Sequence, residues 1–239
     1  MNAYRVALVT GANKGIGFEI ARQLAQAGVR VILGVRDPQR AKAAEDNLKE
    51  QGLDVSSLVL DITHQPDIAA AATAIAAEYG RLDILVNNAG VFDPLDGPPG
   101  KASPDAVLRV MQTNFIGTLA VTQAMLSLLL AAPAGRIVNV SSSLGSLTLN
   151  GDPSSPYYAS QFIGYNASKA ALNMLTVQLH EALKETGIVV NSISPGFVKT
   201  DLTGYGTMTP EEGARLPVQF ALGGEGSGLF VEPGNITPW

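Results

Sequence analysis

The chain has 239 residues, 46% of them hydrophobic and 15% charged, with 25 glycines, no cysteine and a net charge of −5. The apolar content supports a packed core, and an acidic balance without any basic block argues against a nucleic-acid or anionic-membrane partner. Disulfide and thiol chemistry are excluded by the absence of cysteine.

The N-terminal MNAYRVALVTGANKG carries no signal-peptide pattern. RVALVT (5–10) is a short β-branched apolar run that ends at a glycine and reads as a buried strand. GIGFEIARQLAQAG has helical spacing and stops at Gly28. VRVILGV (29–35) is a second strand, followed by a polar helix, DPQRAKAAEDNLKEQG, with proline near its start, where it is tolerated. VSSLVLD is a third strand and PDIAAAATAIAAEYG an alanine-rich helix. LDILVNNAG (82–90) is a strand that runs into a turn of small residues. A long helix over about 104–131, a strand GRIVNVS (135–141), a loop, a helix opened by YNASK (165–169) and a strand IVVNSIS (188–194) follow. SGLFV (227–231) supplies a seventh strand. The longest apolar run, AMLSLLLAA, is too short and too interrupted to span a bilayer, and a cytoplasmic protein is expected.

Alternating helices and two-sided apolar strands predict an α/β fold: a single-domain, Rossmann-type, doubly wound parallel sheet of about seven strands with helices on both faces. No linker or repeat divides it. Residues 1–239 form one domain, with a cofactor half over about 1–140 and catalytic and substrate-binding elements over about 141–239. Ligands of such sheets bind beyond the carboxyl ends of the strands, and each motif below falls there.

TGANKGIG (10–17) joins the first strand to the first helix with glycines spaced G-x-x-x-G-x-G rather than G-x-G-x-x-G. Such a turn brings backbone N–H groups and a helix N-terminus near an anion. At the end of the second strand, an acid would bond the ribose of NAD, whereas an arginine accommodates the 2′-phosphate of NADP. The chain has GVRD there. Arg36 and Lys14 favour the phosphorylated ribose, and Asp37 speaks against it unless it caps the helix that begins at Pro38. NADPH is therefore expected over NADH. Tyr165 and Lys169 share one face of their helix, where the lysine's charge would lower the phenol's pKa and make a proton donor that works near neutral pH. A tyrosine and a lysine also share an amphipathic face by chance, so the pair takes its weight from the other motifs.

TGANKGIG, NNAG (87–90), YNASK and SPGFVKTD (194–201), in this order, resemble the short-chain dehydrogenase/reductase family over nearly the whole chain. GANKGIG and the arginine after the second strand resemble its carbonyl reductases in particular. The resemblance implies a catalytic set of Asn114, Ser142, Tyr165 and Lys169. Ser142 is the second serine of NVSSSLG, chosen by register over its neighbours Ser141 and Ser143. It implies cofactor contacts from Gly11, Asn13, Lys14, Gly15, Ile16 and Gly17 in the glycine turn, and from Arg36 at the ribose. Asp61 and Ile62 would meet the adenine, and Asn88, Ala89 and Gly90 would lie along the cofactor. Tyr165 and Lys169 would reach the nicotinamide ribose; Pro195, Gly196, Val198 and Thr200 would hold the nicotinamide end. The implied activity is NADPH-dependent reduction of a ketone or aldehyde, with Tyr165 giving the proton and Ser142 holding the carbonyl oxygen. The alternatives are an NAD(P)-dependent alcohol dehydrogenase running oxidatively and a non-catalytic NADP-binding regulator. An epimerase or dehydratase is disfavoured by chain length and glycine spacing.

The implied partner is a small-molecule carbonyl substrate. The family also implies a homo-oligomer, a dimer or tetramer, with a monomer left open if the insert before Tyr165 blocks an interface. Ser142 and Tyr165 are 23 residues apart, more than is usual in the family. The extra LTLNGDPSSPYYASQFIG reads as a loop on the rim of the substrate site. Segments 91–104 and 197–217 are expected to shape the pocket, the second as a lid, with Phe92, Leu144, Phe197 and Tyr205 as apolar walls. His64 and His180 have no partner at metal-ligand spacing, and no metal is expected.

Overall fold

Four strands at the centre, β1 (Val6–Thr10), β4 (Ile84–Asn87), β5 (Arg136–Val140) and β6 (Val189–Ile193), are buried almost throughout, as a sheet covered on both faces requires. The structure, a computed structural model, describes residues 4–239. The first three residues of the stretch read above for a signal lie outside the described residues. With β2 (Arg30–Val35), β3 (Val55–Val59), β7 (Leu229–Glu232) and β8 (Asn235–Ile236), the sheet runs in the order β3-β2-β1-β4-β5-β6-β7-β8. Neighbours from β3 to β7 pair in parallel. β8 is a two-residue antiparallel addition, too short to leave a pattern in the sequence.

Helices fill both faces. On one, α1 (Gly15–Gln26), α2 (Pro38–Glu50) and α8 (Pro210–Leu222) bury Ile20, Leu24, Leu48 and Phe220. On the other, α3 (Gln65–Tyr79), α5 (Thr118–Leu130) and α7 (Ile163–Leu183) bury Ile68, Ile75, Met125, Leu129 and Leu183. The connections reverse between β1 and β4, and the crevice at this switch point opens above the carboxyl ends of the strands.

Three elements differ from the sequence expectation. The long helix is α4 (Pro104–Met111), a wide π-helical turn over Gln112–Gly117 and then α5. π-turns of this kind are frequent at functional sites. The whole stretch, Pro104–Leu130, is long and apolar enough to cross a membrane by length and composition, which the apolar run alone did not suggest. Val110, Val121, Met125 and Leu129 along it are nevertheless buried within this fold. The segment after β6, expected as a lid, closes with α8. Its start carries a capping box between Thr209 and Glu212, and the internal Pro217 disguises it. The insert before Tyr165 contains a short helix, α6 (Leu147–Gly151).

Candidate active site

The glycine turn is built by close packing. A Cβ at Gly17 would lie 2.3 Å from Asn88 Nδ2 and 2.5 Å from the Gly11 carbonyl oxygen. Asn88 Nδ2 donates to the Thr10 carbonyl at 2.9 Å, and the amides of Asn88 and Ala89 both donate to Thr10 Oγ1 at 3.0 Å. NNAG is thereby fastened to the turn. The residue before α1, Lys14, makes no side-chain cap, and the first turn of α1 holds no acid. An uncapped, donor-rich, positive helix end at the cleft floor fits a pyrophosphate.

At the end of β2, Asp37 Oδ1 accepts from the amides of Gln39 and Arg40, both at 2.9 Å. These bonds hold its carboxyl below the usual range. Asp37 thus caps α2, which accounts for an acid beside Arg36. Arg36 is largely exposed and lies 4.0 Å from the Asp61 carboxylate. Lys14 pairs with Asp201 at 2.6 Å across the mouth. Arg40, in the first turn of α2, also lines the cleft. Sequence reasoning missed it, although its place in the first turn of the helix that follows GVRD was the available signal. Three cations around one rim fit a phosphorylated ribose.

The far end of the cleft holds the YNASK pair. Lys169 is buried, donates from Nζ to the Val140 carbonyl at 2.9 Å and lies 5.6 Å from the centre of the Tyr165 ring. Burial pushes this ammonium down to about 8. Burial also pushes the Tyr165 phenol up to about 12, against a lowering by its hydrogen bond with Ser142. The expected lowering of the phenol by the lysine is therefore corrected: the ammonium is directed at a backbone carbonyl, and desolvation raises the phenol. Asn114 sits in the π-turn and is buried. Its Oδ1 accepts from Val91 N at 2.8 Å, and its Nδ2 donates to Val91 O and to Ser168 Oγ, each at 3.0 Å. It ties the segment that follows NNAG to the helix of Tyr165.

The cleft between the two ends has a volume of ≈ 930 Å³. Its walls include Gly11, Asn13 to Gly17, Arg36, Asp61, Ile62, Asn88 to Gly90, Tyr165, Lys169, Pro195 and Thr200. Asn114, Ser142, Gly196 and Val198 are not among its walls. Val198 is buried and packs toward Gly213 on α8, and Gly196 turns with φ 87° under Met208. Of the expected apolar walls, Phe92 lines the cleft. Phe197 and Tyr205 stack edge to face at 5.5 Å and stay exposed on segment 197–217. Ser143, next to Ser142, donates to Glu232 at 2.5 Å, and Tyr157 of the insert donates to the same oxygen at 2.8 Å. The histidines bond to Asp67 and Ser227.

The family model described as short chain dehydrogenase matches residues 5–209. Carbonyl reductase [NADPH] 1 of Rattus norvegicus is 35% identical, covering 98% of each chain. (−)-Isopiperitenone reductase of Mentha piperita is 35% identical over 95% of each. Among solved structures, NADPH-bound carbonyl reductase from chicken fatty liver superposes with a TM-score of 0.86 at 31% identity, over 99% of both chains.

Proposed function

The chain belongs to the short-chain dehydrogenase family, and from that membership we propose that Asn114, Ser142, Tyr165 and Lys169 carry an NADPH-dependent reduction of a ketone or aldehyde to an alcohol. The bound cofactor supplies the hydride. Tyr165 gives its phenolic proton to the carbonyl oxygen. Burial keeps that phenol protonated far above neutral pH, which suits an acid in the reductive direction; oxidation would call for the tyrosinate. Lys169, charged below about 8, eases formation of the phenolate left behind. Ser142, whose Oγ accepts from Leu144 N at 3.2 Å, steadies the developing oxyanion. Asn114 keeps the floor of the site and the catalytic helix in register through Val91 and Ser168.

The observation that carries this reading is Tyr165 and the buried Lys169 lining the far end of a cleft that begins at an uncapped helix terminus. The division near residue 140 into cofactor and catalytic halves belongs to the same proposal, as does a cytoplasmic setting. So does a homo-oligomer, supported by exposed Leu108, Ile116, Met174 and Val177 on the outer faces of the long helix and α7; a monomeric mass in light scattering would remove it.

The test follows NADPH absorbance with a panel of α-keto esters, aldehydes and quinones, with NADH in parallel. NADPH-dependent turnover is expected. Arg36→Ala or Arg40→Ala should each weaken NADPH binding by about 10- to 100-fold and leave NADH nearly unaffected, since each removes a charged hydrogen bond. Equal affinity for both cofactors would contradict the phosphate assignment. NADPH binding without turnover across the panel would favour a regulator.

A further inference from the structure

We propose that Asp96, in the loop after NNAG, caps α7 from outside the helix and is a positioning residue for Tyr165; this rests on reading Tyr165 as the proton donor. A 21-residue helix begins at Ile163, but Phe162 before it makes no side-chain cap. Its first amides must find acceptors elsewhere. All three come from the loop. The Gly97 carbonyl accepts from Ile163 N at 2.9 Å. Asp96 Oδ1 accepts from Gly164 N at 2.9 Å, and Asp96 Oδ2 from Tyr165 N at 2.8 Å. Oδ1 also accepts from Gly97 N at 2.8 Å, which folds the loop under its own carboxylate.

The negative charge lies at the positive end of the helix, where it is favoured. A Cβ at Gly164 would be 3.0 Å from Asp96 Oδ2 and 3.1 Å from Val107 Cα, so the approach depends on glycine there. Phe92, from the same loop, meets Phe162 at 5.0 Å and Tyr165 at 6.1 Å, both edge to face. Loop and helix end therefore form one unit. One carboxylate oxygen holds the backbone of the residue whose phenol reacts, while the loop's phenylalanine holds the ring. An asparagine would keep the shape but carry one acceptor oxygen. With that oxygen on Gly164 N–H, its amide would oppose the Tyr165 N–H donor to donor.

Asp96→Asn tests this in two independent readouts. By amide hydrogen exchange, the Gly164 and Tyr165 amides should exchange at least about tenfold faster than in wild type while the amides of residues 172–183 keep their protection. With phenanthrenequinone and NADPH, kcat should fall about 10- to 100-fold, the scale of a misplaced reacting group, with NADPH affinity within about twofold. In a Tyr165→Phe background the same substitution should cause no further loss, because Asp96 acts through that tyrosine. Unchanged protection of Tyr165 N–H, or an equal fold-loss in both backgrounds, would overturn the proposal. A wild type inert toward the quinone would sink the reductase reading alone, and the exchange measurement would still decide the cap.

Discussion

Tyr165 and Lys169 share one face of α7, and burial drives their proton affinities in opposite directions, the phenol up to about 12 and the ammonium down to about 8. The sign for catalysis follows. Below about 8 both groups carry their protons: the acid is loaded, and a cation is present to receive the phenolate. As pH rises through about 8 the lysine loses its charge first, while the tyrosine is still protonated. The kcat for carbonyl reduction at saturating NADPH should stay level from pH 6 to about 8 and decline above it; a rate that climbs through that region would speak against the assignment. The pair itself was legible in YNASK because both residues lie on one short helical repeat. Its electrostatics were not, because the direction of Nζ toward Val140 and the depth of burial are tertiary facts. Asp37 was legible as a cap from its place before Pro38. Asp96 was not, since it caps a helix that begins 67 residues later in the chain.

The β1-to-α1 turn shows how an element can be specified by what it touches. Gly17 has Asn88 and the Gly11 carbonyl where a side chain would stand. Gly17→Ala should displace NNAG or the start of α1 and weaken NADPH binding by at least about tenfold, read by quenching of cofactor fluorescence. Relief of a 2.3 Å overlap requires movement of backbone or of a bonded amide. Affinity equal to wild type would show that the turn has slack. Strand periodicity and glycine punctuation exposed β1 to β7 and the turn between β1 and α1. They concealed α8, whose Gly213 and Pro217 break the helical signal although α8 packs closely on α1 and the central sheet. β8 and α6 are held mainly by tertiary bonds. Thr237 N donates to the Phe230 carbonyl at 2.8 Å and Ser146 Oγ to the Pro238 carbonyl at 2.7 Å, contacts that no local pattern announces.

For the molecule as a whole, the order β3-β2-β1-β4-β5-β6-β7 brings five distant segments to one rim: the glycine turn, the β2 end with Arg36, NNAG, the Ser142 run and the Pro195 loop. Each motif is weak alone; the sheet order explains why together they make one cleft. Around it, Asn114 fastens NNAG to α7, and Glu232 fastens the insert to the serine run through Tyr157 and Ser143. The chemistry converges on one phenol, so the most direct measurement compares wild type with Tyr165→Phe for NADPH affinity and for kcat on a carbonyl substrate. Affinity should stay within about twofold, because the ring and its packing remain, while kcat should fall by about 100-fold or more, the scale of a lost general acid. Turnover by Tyr165→Phe at the wild-type rate would contradict the account at its centre.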